Sequence, residues 1–304
     1  MKSYDLLIIG GGICGMTAAI YAARANLSVC ILEKNICGGL VNWTNTVENV
    51  PSYPSIHGMD LMARCREHVA SLNVAIEEVD EVERIDFIGE RKLVYTSMGE
   101  EYEAGAVIVC TGRQPRPFPV KTTFDKIHYC SVCDGTPYKG KDILVMGGGN
   151  SGFDESLYLL NLGIRSIHIV ETFPNCIAAA STQDQARATG KIVVSVSTDI
   201  TAVDPLPDGR GLVHLLNKDT GEEYTEEIDG IFCFIGQSPN TALFDGVLEL
   251  DHGYIKVNAD METNIKGVFA AGDVTAKKYR QITTAMSDGT IAALQATAFL
   301  SKYC

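Results

Sequence analysis

Basic residues are the scarce class in this chain. Its 304 residues include 25 Lys and Arg against 38 Asp and Glu, a formal net charge of −13. That deficit argues against non-specific nucleic-acid binding and against docking on an anionic membrane surface. No apolar run is long enough to span a bilayer, and no low-complexity tract interrupts the chain. Metal-ligand spacing is also missing. One C-x-x-C occurs, at Cys130 and Cys133, with no second pair and no H-x-x-x-H. A structural zinc site needs a second pair of ligands. Redox chemistry is therefore the sharper reading of the pair, with half a zinc site as the bland alternative.

The ten cysteines do not read as a secreted disulfide scaffold. The chain is long, and its cysteines lie largely in apolar, strand-like runs such as residues 107–110, which predicts a reducing cytoplasm. An apolar strand over residues 4–9 enters a glycine turn directly, so no secretory leader is expected. Cys304 is terminal, and Tyr303 beside it reads as a free tail.

What is present is two copies of one unit. The strand at 4–9 runs into Gly10-Gly11-Gly12-Ile13-Cys14-Gly15, an Ala-rich helix from Met16 to about Asn26, and a second strand ending at Glu33. This is G-x-G-x-x-G in its required context. The first glycine permits the tight turn and the second admits a pyrophosphate. The third allows close helix packing, and the acid meets ribose hydroxyls. Residues 143–146 begin the same sequence again. Gly147, Gly149 and Gly152 repeat the glycine spacing, a helix runs from about 153 to 162, and a strand at 166–170 ends at Glu171. The dithiol lies just ahead of this second unit. A helix starting at the pair would lower a thiol pKa and favour thiol–disulfide exchange.

Between the units the pattern predicts a long polar loop at 37–54, a helix at 60–72, and strands near 74–78, 81–87, 92–97 and 107–110. Proline-rich residues 113–119 and residues 235–241 mark chain crossings between two domains. Residues 192–235 read as strand-rich, with a hairpin turn near 219–221. A strand at 267–271 ends at Gly272-Asp273, and a last helix covers about 281–300. The fold class is α/β with two Rossmann-like dinucleotide-binding domains of three-layer ββα type.

These motifs closely resemble the low-molecular-weight thioredoxin reductases. The resemblance covers nearly the whole chain. It is carried by the first fingerprint with Glu33, Val47-Glu48-Asn49, Thr111-Gly112, and Cys130-x-x-Cys133-Asp134-Gly135. It extends through Gly147-x-Gly149-Asn150-Ser151, the run from Phe234 to Thr241, Gly267 to Asp273, and Lys278-Tyr279-Arg280-Gln281. It implies a homodimeric flavoprotein acting on thioredoxin. A discontinuous FAD domain, residues 1–113 and 242–304, would be interrupted by a smaller pyridine-nucleotide-type domain, 114–241. FAD would be held by Gly10, Gly12, Ile13, Cys14, Gly15, Glu33, Lys34, Gly39, Leu40, Asn49, Val82, Thr111, Gly112, Gly272, Asp273, Arg280, Gln281 and Ile282. The family usually carries glutamine where this chain has Leu40. By the same resemblance Cys133 would face the flavin, Cys130 would attack the substrate disulfide, and Asp134 would serve as acid or base. The smaller domain would have to rotate to expose Cys130.

One departure bears on the electron source. The family follows its second strand with a His-Arg-Arg-type cluster that grips the 2′-phosphate of NADPH. Here residues 171–175 are Glu-Thr-Phe-Pro-Asn, and the next arginine is Arg187. A phosphate would meet a carboxylate and no bidentate donor. Two readings follow. Glu171 accepts from a free 2′-hydroxyl and the donor is NADH, or the nicotinamide site is vestigial. A ferredoxin-fed branch of thioredoxin-reductase-like flavoproteins lacks this cluster, and the chain resembles it most. Lys277, Lys278 and Arg280 are a candidate patch for ferredoxin. A flavin-dependent dithiol oxidase and a flavin redox sensor are the rival functions.

Overall fold

In a computed structural model the protein is described over residues 1–44 and 46–301. Asn45 of the long polar loop, Tyr303 and Cys304 lie outside the described residues. The chain divides into two compact units, one of Met1–Gln114 together with Ser238 onward, the other Pro115–Gln237.

The first unit begins with β1 (Lys2–Ile9), α1 (Ile13–Arg24) and β2 (Val29–Glu33). Helix α1 starts three residues earlier than its alanine pattern predicts, directly from the turn. Then come α2 (Gly58–Ala70), β3 (Ala75–Glu78), β4 (Val82–Asp86), β5 (Lys92–Thr96) and β6 (Glu101–Val109). Strand β6 is longer than the buried run 107–110 suggested. Its first half pairs antiparallel with β5, its whole length lies parallel to β1, and Tyr102 is fully buried.

At β7 (Arg113–Pro115) the chain crosses into the second unit. There follow β8 (Ile127–His128), α3 (Ser131–Asp134), β9 (Asp142–Met146), α4 (Asn150–Asn161), β10 (Ser166–Val170), α5 (Ala180–Ala188) and β11 (Ile192–Ser195). Three antiparallel strands come next, β12 (Thr198–Pro205), β13 (Gly211–Asn217) and β14 (Glu223–Ile228). The turn between the last two spans 218–222, where Asn217 Oδ1 accepts the N–H groups of Asp219 and Thr220. Strand β15 (Gly230–Cys233) closes the unit and β16 (Gln237–Pro239) leads out, pairing with β7. The first unit resumes with β17 (Leu250–Asp251), β18 (Tyr254–Ile255), β19 (Val268–Ala270) and α6 (Ile282–Leu300).

Each unit has three layers, for the same reason. Its central parallel strands are apolar on both faces, so both faces must be covered. In the first unit the order is β3-β2-β1-β6-β5-β4, with β19 also on β6. Leu6, Ile8, Val29 and Ile31 pack towards α1, α2 and α6. The alternating residues Leu7, Ile9, Cys30 and Leu32 pack with Phe87, Val94 and Phe244. Each such side chain contributes about 1.5–3 kcal/mol by leaving water. In the second unit the order is β11-β10-β9-β15-β8. Ile143, Val145, Ile167 and Ile169 face α4 and α5, while Leu144, Val170 and Ile231 face the three-stranded antiparallel sheet.

Candidate functional site

Parallel strands β1, β2, β6 and β19 all end on one edge of the first unit, the edge where doubly wound sheets bind ligands. The first glycine turn sits there. A Cβ on Gly15 would run into the carbonyl oxygen of Gly10, so this third glycine is what lets α1 lie against β1. Gly12 is different. A Cβ there would meet nothing within 4 Å, so open space lies above the turn. Beside it a cavity of about 260 Å³ is lined by Glu33, Lys34, Val82 and Thr111, with Asp80, Glu81 and Asn240. Asp80 and Glu81 carry no sequence signature, and Asn240 lies in the run 234–241 but was not assigned to the site.

Gly272 and Asp273 follow β19 on the same edge. Asp273 Oδ1 is buried without a hydrogen-bond partner among the described residues, and Lys277 Nζ stands 3.7 Å away. Burial raises the Asp273 carboxyl above the usual carboxylate range, opposed by Lys277, Arg113 and Arg280. Arg280 stacks its guanidinium 4.1 Å above the Tyr254 ring, and its Nε is likewise buried with no hydrogen bond among the described residues. Lys277 is committed to Asp288 at 2.7 Å. Asn49 donates to Gln281 Oε1 at 3.2 Å, and Gln281 caps α6 through a reciprocal bond with Thr284. Leu40 lies in a short 3₁₀ turn that begins at Gly39, and Gly112 follows Thr111. Thr111 and Asn240 exchange two hydrogen bonds, at 2.7 and 2.8 Å. The Cys14 thiol points inward, 3.6 Å from that of Cys110, so the N-terminus of α1 and the glycine backbone are what face the turn.

In the second unit Cys130 and Cys133 form a disulfide. Cys130 is the N-cap of α3, and the N–H of Cys133 donates to its sulfur at 3.1 Å. An amide held there stabilises a thiolate on Cys130 once the ring opens. Cys130 is 7% exposed, whereas Cys133 is open to solvent. Asp134 Oδ2 lies 3.4 Å from His128 Nδ1, and His128 Nε2 lies 2.7 Å from the Tyr138 hydroxyl. Neither His128 nor Tyr138 was singled out from the sequence. Tyr138 is pushed up to about 12, chiefly by burial and then by Asp134.

The second glycine turn repeats the first in detail. Gly11 N–H donates to Glu33 Oε2 at 2.7 Å, and Gly148 N–H donates to Glu171 Oε2 at 2.6 Å. The other carboxylate oxygens accept from Asn35 and Phe173. The surroundings then diverge. Glu33 borders the cavity, while Glu171 is only 8% exposed. Ile177 reaches to 4.0 Å of where a Cβ on Gly149 would stand, a place left open at Gly12. Among the described residues no cluster of three or more His, Cys, Asp or Glu could hold a metal ion. Nor is any of their helices long and apolar enough to cross a membrane.

Two three-layer nucleotide folds and a C-x-x-C disulfide define a flavoprotein disulfide oxidoreductase. The chain belongs to the pyridine nucleotide-disulphide oxidoreductase family, which matches residues 4–289, and it is a homologue of the low-molecular-weight thioredoxin reductases. It is 36% identical over 297 residues to thioredoxin reductase of Bacillus subtilis, covering 96% of this chain and 93% of that one. A Clostridium pasteurianum protein, described as a 34.2 kDa protein in the rubredoxin operon, is 39% identical over 304 residues, 98% of each chain. The crystal structure of Lactococcus lactis thioredoxin reductase superposes with a TM-score of 0.90 at 33% identity, over 98% of this chain and 99% of that one.

Members of this family bind FAD. The first unit fits that cofactor. Two buried polar atoms, Asp273 Oδ1 and Arg280 Nε, make no hydrogen bond among the described residues, and the space above Gly12 is open.

Proposed function

We propose that this protein reduces the disulfide of thioredoxin with electrons supplied by reduced ferredoxin rather than by NADPH. The observation that carries the choice of donor is Glu171. It is buried, and each of its oxygens accepts a backbone N–H. No arginine occurs between it and Arg187, and Ile177 borders the space over Gly149 that a pyrophosphate would need. Arg187 itself bonds Asp184 and Gln183 on the exposed side of α5. A relative named for its rubredoxin operon adds support for a one-electron iron–sulfur donor.

FAD, when bound, supplies a centre that takes single electrons and delivers them in pairs to a disulfide. The chain's own residues do the rest. Gly12 and the start of α1 would receive the pyrophosphate, Asp273 would accept from a ribityl hydroxyl, and the N-terminus of α6 at Gln281 and Ile282 would offer partial positive charge. The exposed Cys133 is the sulfur open to reduction. Cys130, with an amide on its sulfur, is the nucleophile towards thioredoxin. Its burial means that a rearrangement must precede attack on a protein disulfide. Asp134 protonates the departing substrate thiolate.

Anaerobic mixing of the flavin-loaded protein with NADPH, NADH and reduced ferredoxin tests this reading. Ferredoxin is expected to bleach the flavin and to sustain thioredoxin reduction. Bleaching by either nicotinamide at micromolar concentration overturns the choice of donor. Rapid hydrogen peroxide release from a small dithiol would mark an oxidase instead.

A further inference from the structure

Asp134 is not alone beside the dithiol. His128 ends β8, the edge strand of its sheet, in register with Phe232 of β15. Its ring packs against Phe232 at 5.1 Å and Tyr138 at 5.3 Å, centroid to centroid. That packing fixes where the two nitrogens point. Nδ1 faces Asp134 Oδ2 at 3.4 Å and Nε2 faces the Tyr138 hydroxyl at 2.7 Å. Three proton-carrying groups therefore stand in a row, the first next in sequence to Cys133.

We propose that His128 is a positioning residue that exchanges the proton Asp134 uses, linking the dithiol's acid through its two ring nitrogens to Tyr138. The inference rests on the reading of Cys130 and Cys133 as a reductase dithiol. The row has two self-consistent states. With Asp134 ionised, Nδ1–H donates to the carboxylate and the Tyr138 hydroxyl donates to Nε2. With Asp134 protonated, Nδ1 accepts from the carboxyl and Nε2–H donates to the tyrosine oxygen. The Nδ1 to Oδ2 separation is a few tenths of an ångström beyond a strong hydrogen bond, as catalytic contacts often are before substrate binds.

Other charged groups surround the row. Asp125 and Asp229 act on Tyr138 along with Asp134. Lys141 Nζ lies over the tyrosine ring, 5.3 Å from its centroid. Tyr138 stays protonated at neutral pH, so it remains available as a donor. Phe232 is apolar and gives the ring no competing acceptor.

The step balances as follows. Cys130 sulfur attacks one sulfur of the substrate, the substrate S–S bond breaks, and a Cys130–substrate bond forms. The departing sulfur takes a proton. Cys133 sulfur then attacks Cys130, the mixed disulfide breaks, the second substrate sulfur leaves and takes a second proton, and the ring disulfide re-forms. Two electrons and two protons pass from the two cysteine thiols to the substrate. His128 and Asp134 hold and return protons without net change.

The need for a proton depends on the leaving thiol. An alkyl thiolate must be protonated, whereas the nitrobenzoate thiolate of 5,5′-dithiobis(2-nitrobenzoate) leaves as a stable anion. The experiment uses FAD-loaded protein fully reduced with dithionite and freed of excess, mixed with thioredoxin disulfide, dihydroxyethyl disulfide or the nitrobenzoate disulfide. His128→Gln keeps a hydrogen-bond donor but cannot carry a proton. It is expected to slow the first two reactions about tenfold or more and the third far less. The wild-type pH profile with the alkyl disulfide should flatten in the variant. Tyr138→Phe, which removes one oxygen and little packing, should show the same selectivity more weakly. Equal slowing of all three substrates, or wild-type rates with the alkyl disulfides, overturns the proposal. If wild-type protein reduces dihydroxyethyl disulfide but not thioredoxin, the thioredoxin reading fails, and the small disulfide alone decides the role of His128.

Discussion

The backbone N–H of Gly148 donates to Oε2 of Glu171 at 2.6 Å. This acid therefore has work in the fold that needs no nucleotide, because its other oxygen accepts from Phe173 two residues on. Glu171→Ala leaves two amides short of partners and is expected to destabilise the second unit by about 1–3 kcal/mol. Glu171→Gln, which keeps one acceptor oxygen, should cost less. Urea unfolding followed by circular dichroism measures both. Neither change should alter the flavin's response to NADH, and a lost response would mean that Glu171 had been holding a ribose.

Gly12 and Gly149 offer a matched pair of substitutions. Neither glycine has a positive φ, and an alanine at either clashes with nothing. Gly12→Ala is expected to give a folded protein whose FAD is lost on gel filtration. Gly149→Ala should retain FAD and full ferredoxin-driven turnover. A nicotinamide-driven activity that falls in Gly149→Ala would show the second turn in use. Gly15→Ala is the contrast, since its Cβ strikes the Gly10 carbonyl and α1 cannot dock.

Asp273 gives a pH dependence of defined sign. Its folded carboxyl titrates above the unfolded one because of burial. The folded state then binds the extra proton, so stability falls as pH rises from about 4 through the raised value, and stays low above it. Asp273→Asn in the FAD-free protein should raise the melting temperature at pH 7, with the gain vanishing below about pH 4. The same variant should bind FAD about tenfold or more weakly, because a charge-assisted acceptor is lost. Differential scanning calorimetry and a flavin fluorescence titration separate the two effects.

Buried thiols should be silent. Burial pushes Cys30 up to about 12, and Cys233 and Cys65 to about 11. At pH 8 only roughly one Cys30 thiol in ten thousand is thiolate. Iodoacetamide is therefore expected to leave Cys30 and Cys233 unmodified in the native protein, with Cys133 labelled once the disulfide is reduced. Peptide mass spectrometry reads the pattern, and labelling of Cys30 before unfolding would contradict its placement in β2.

Strongly periodic stretches were legible from the residues alone. Strand β10 falls where its apolar run places it, and the glycine spacing locates both turns. Helix α5 escaped because its sequence, Ala-Ser-Thr-Gln-Asp-Gln-Ala-Arg-Ala, has little apolar periodicity and buries only Ala186. The first half of β6 escaped because Glu101 and Glu103 hide a strand that β5 completes. At the site, spacing named Cys130, Cys133 and Asp134 because they are neighbours in sequence. His128 joins Tyr138 only through the packing of β8 beside β15, and Cys14 meets Cys110 across 96 positions. Contacts of that kind have no local signature. Glu171 left two readings open, a ribose acceptor or part of a vestigial site, because the strand-end acid looks the same whichever partner it serves.

Each glycine turn is braced by its own acid, so each stands without cargo. A loop that is self-supporting can outlive the molecule it once carried, and its signature then survives as architecture. A genome search keyed to G-x-G-x-x-G and a strand-end carboxylate counts such loops, whether loaded or not. The informative position is the one that Gly39 holds in the first unit and Ile177 in the second: a Cβ on the middle glycine would meet nothing in the first and Ile177, at 4.0 Å, in the second.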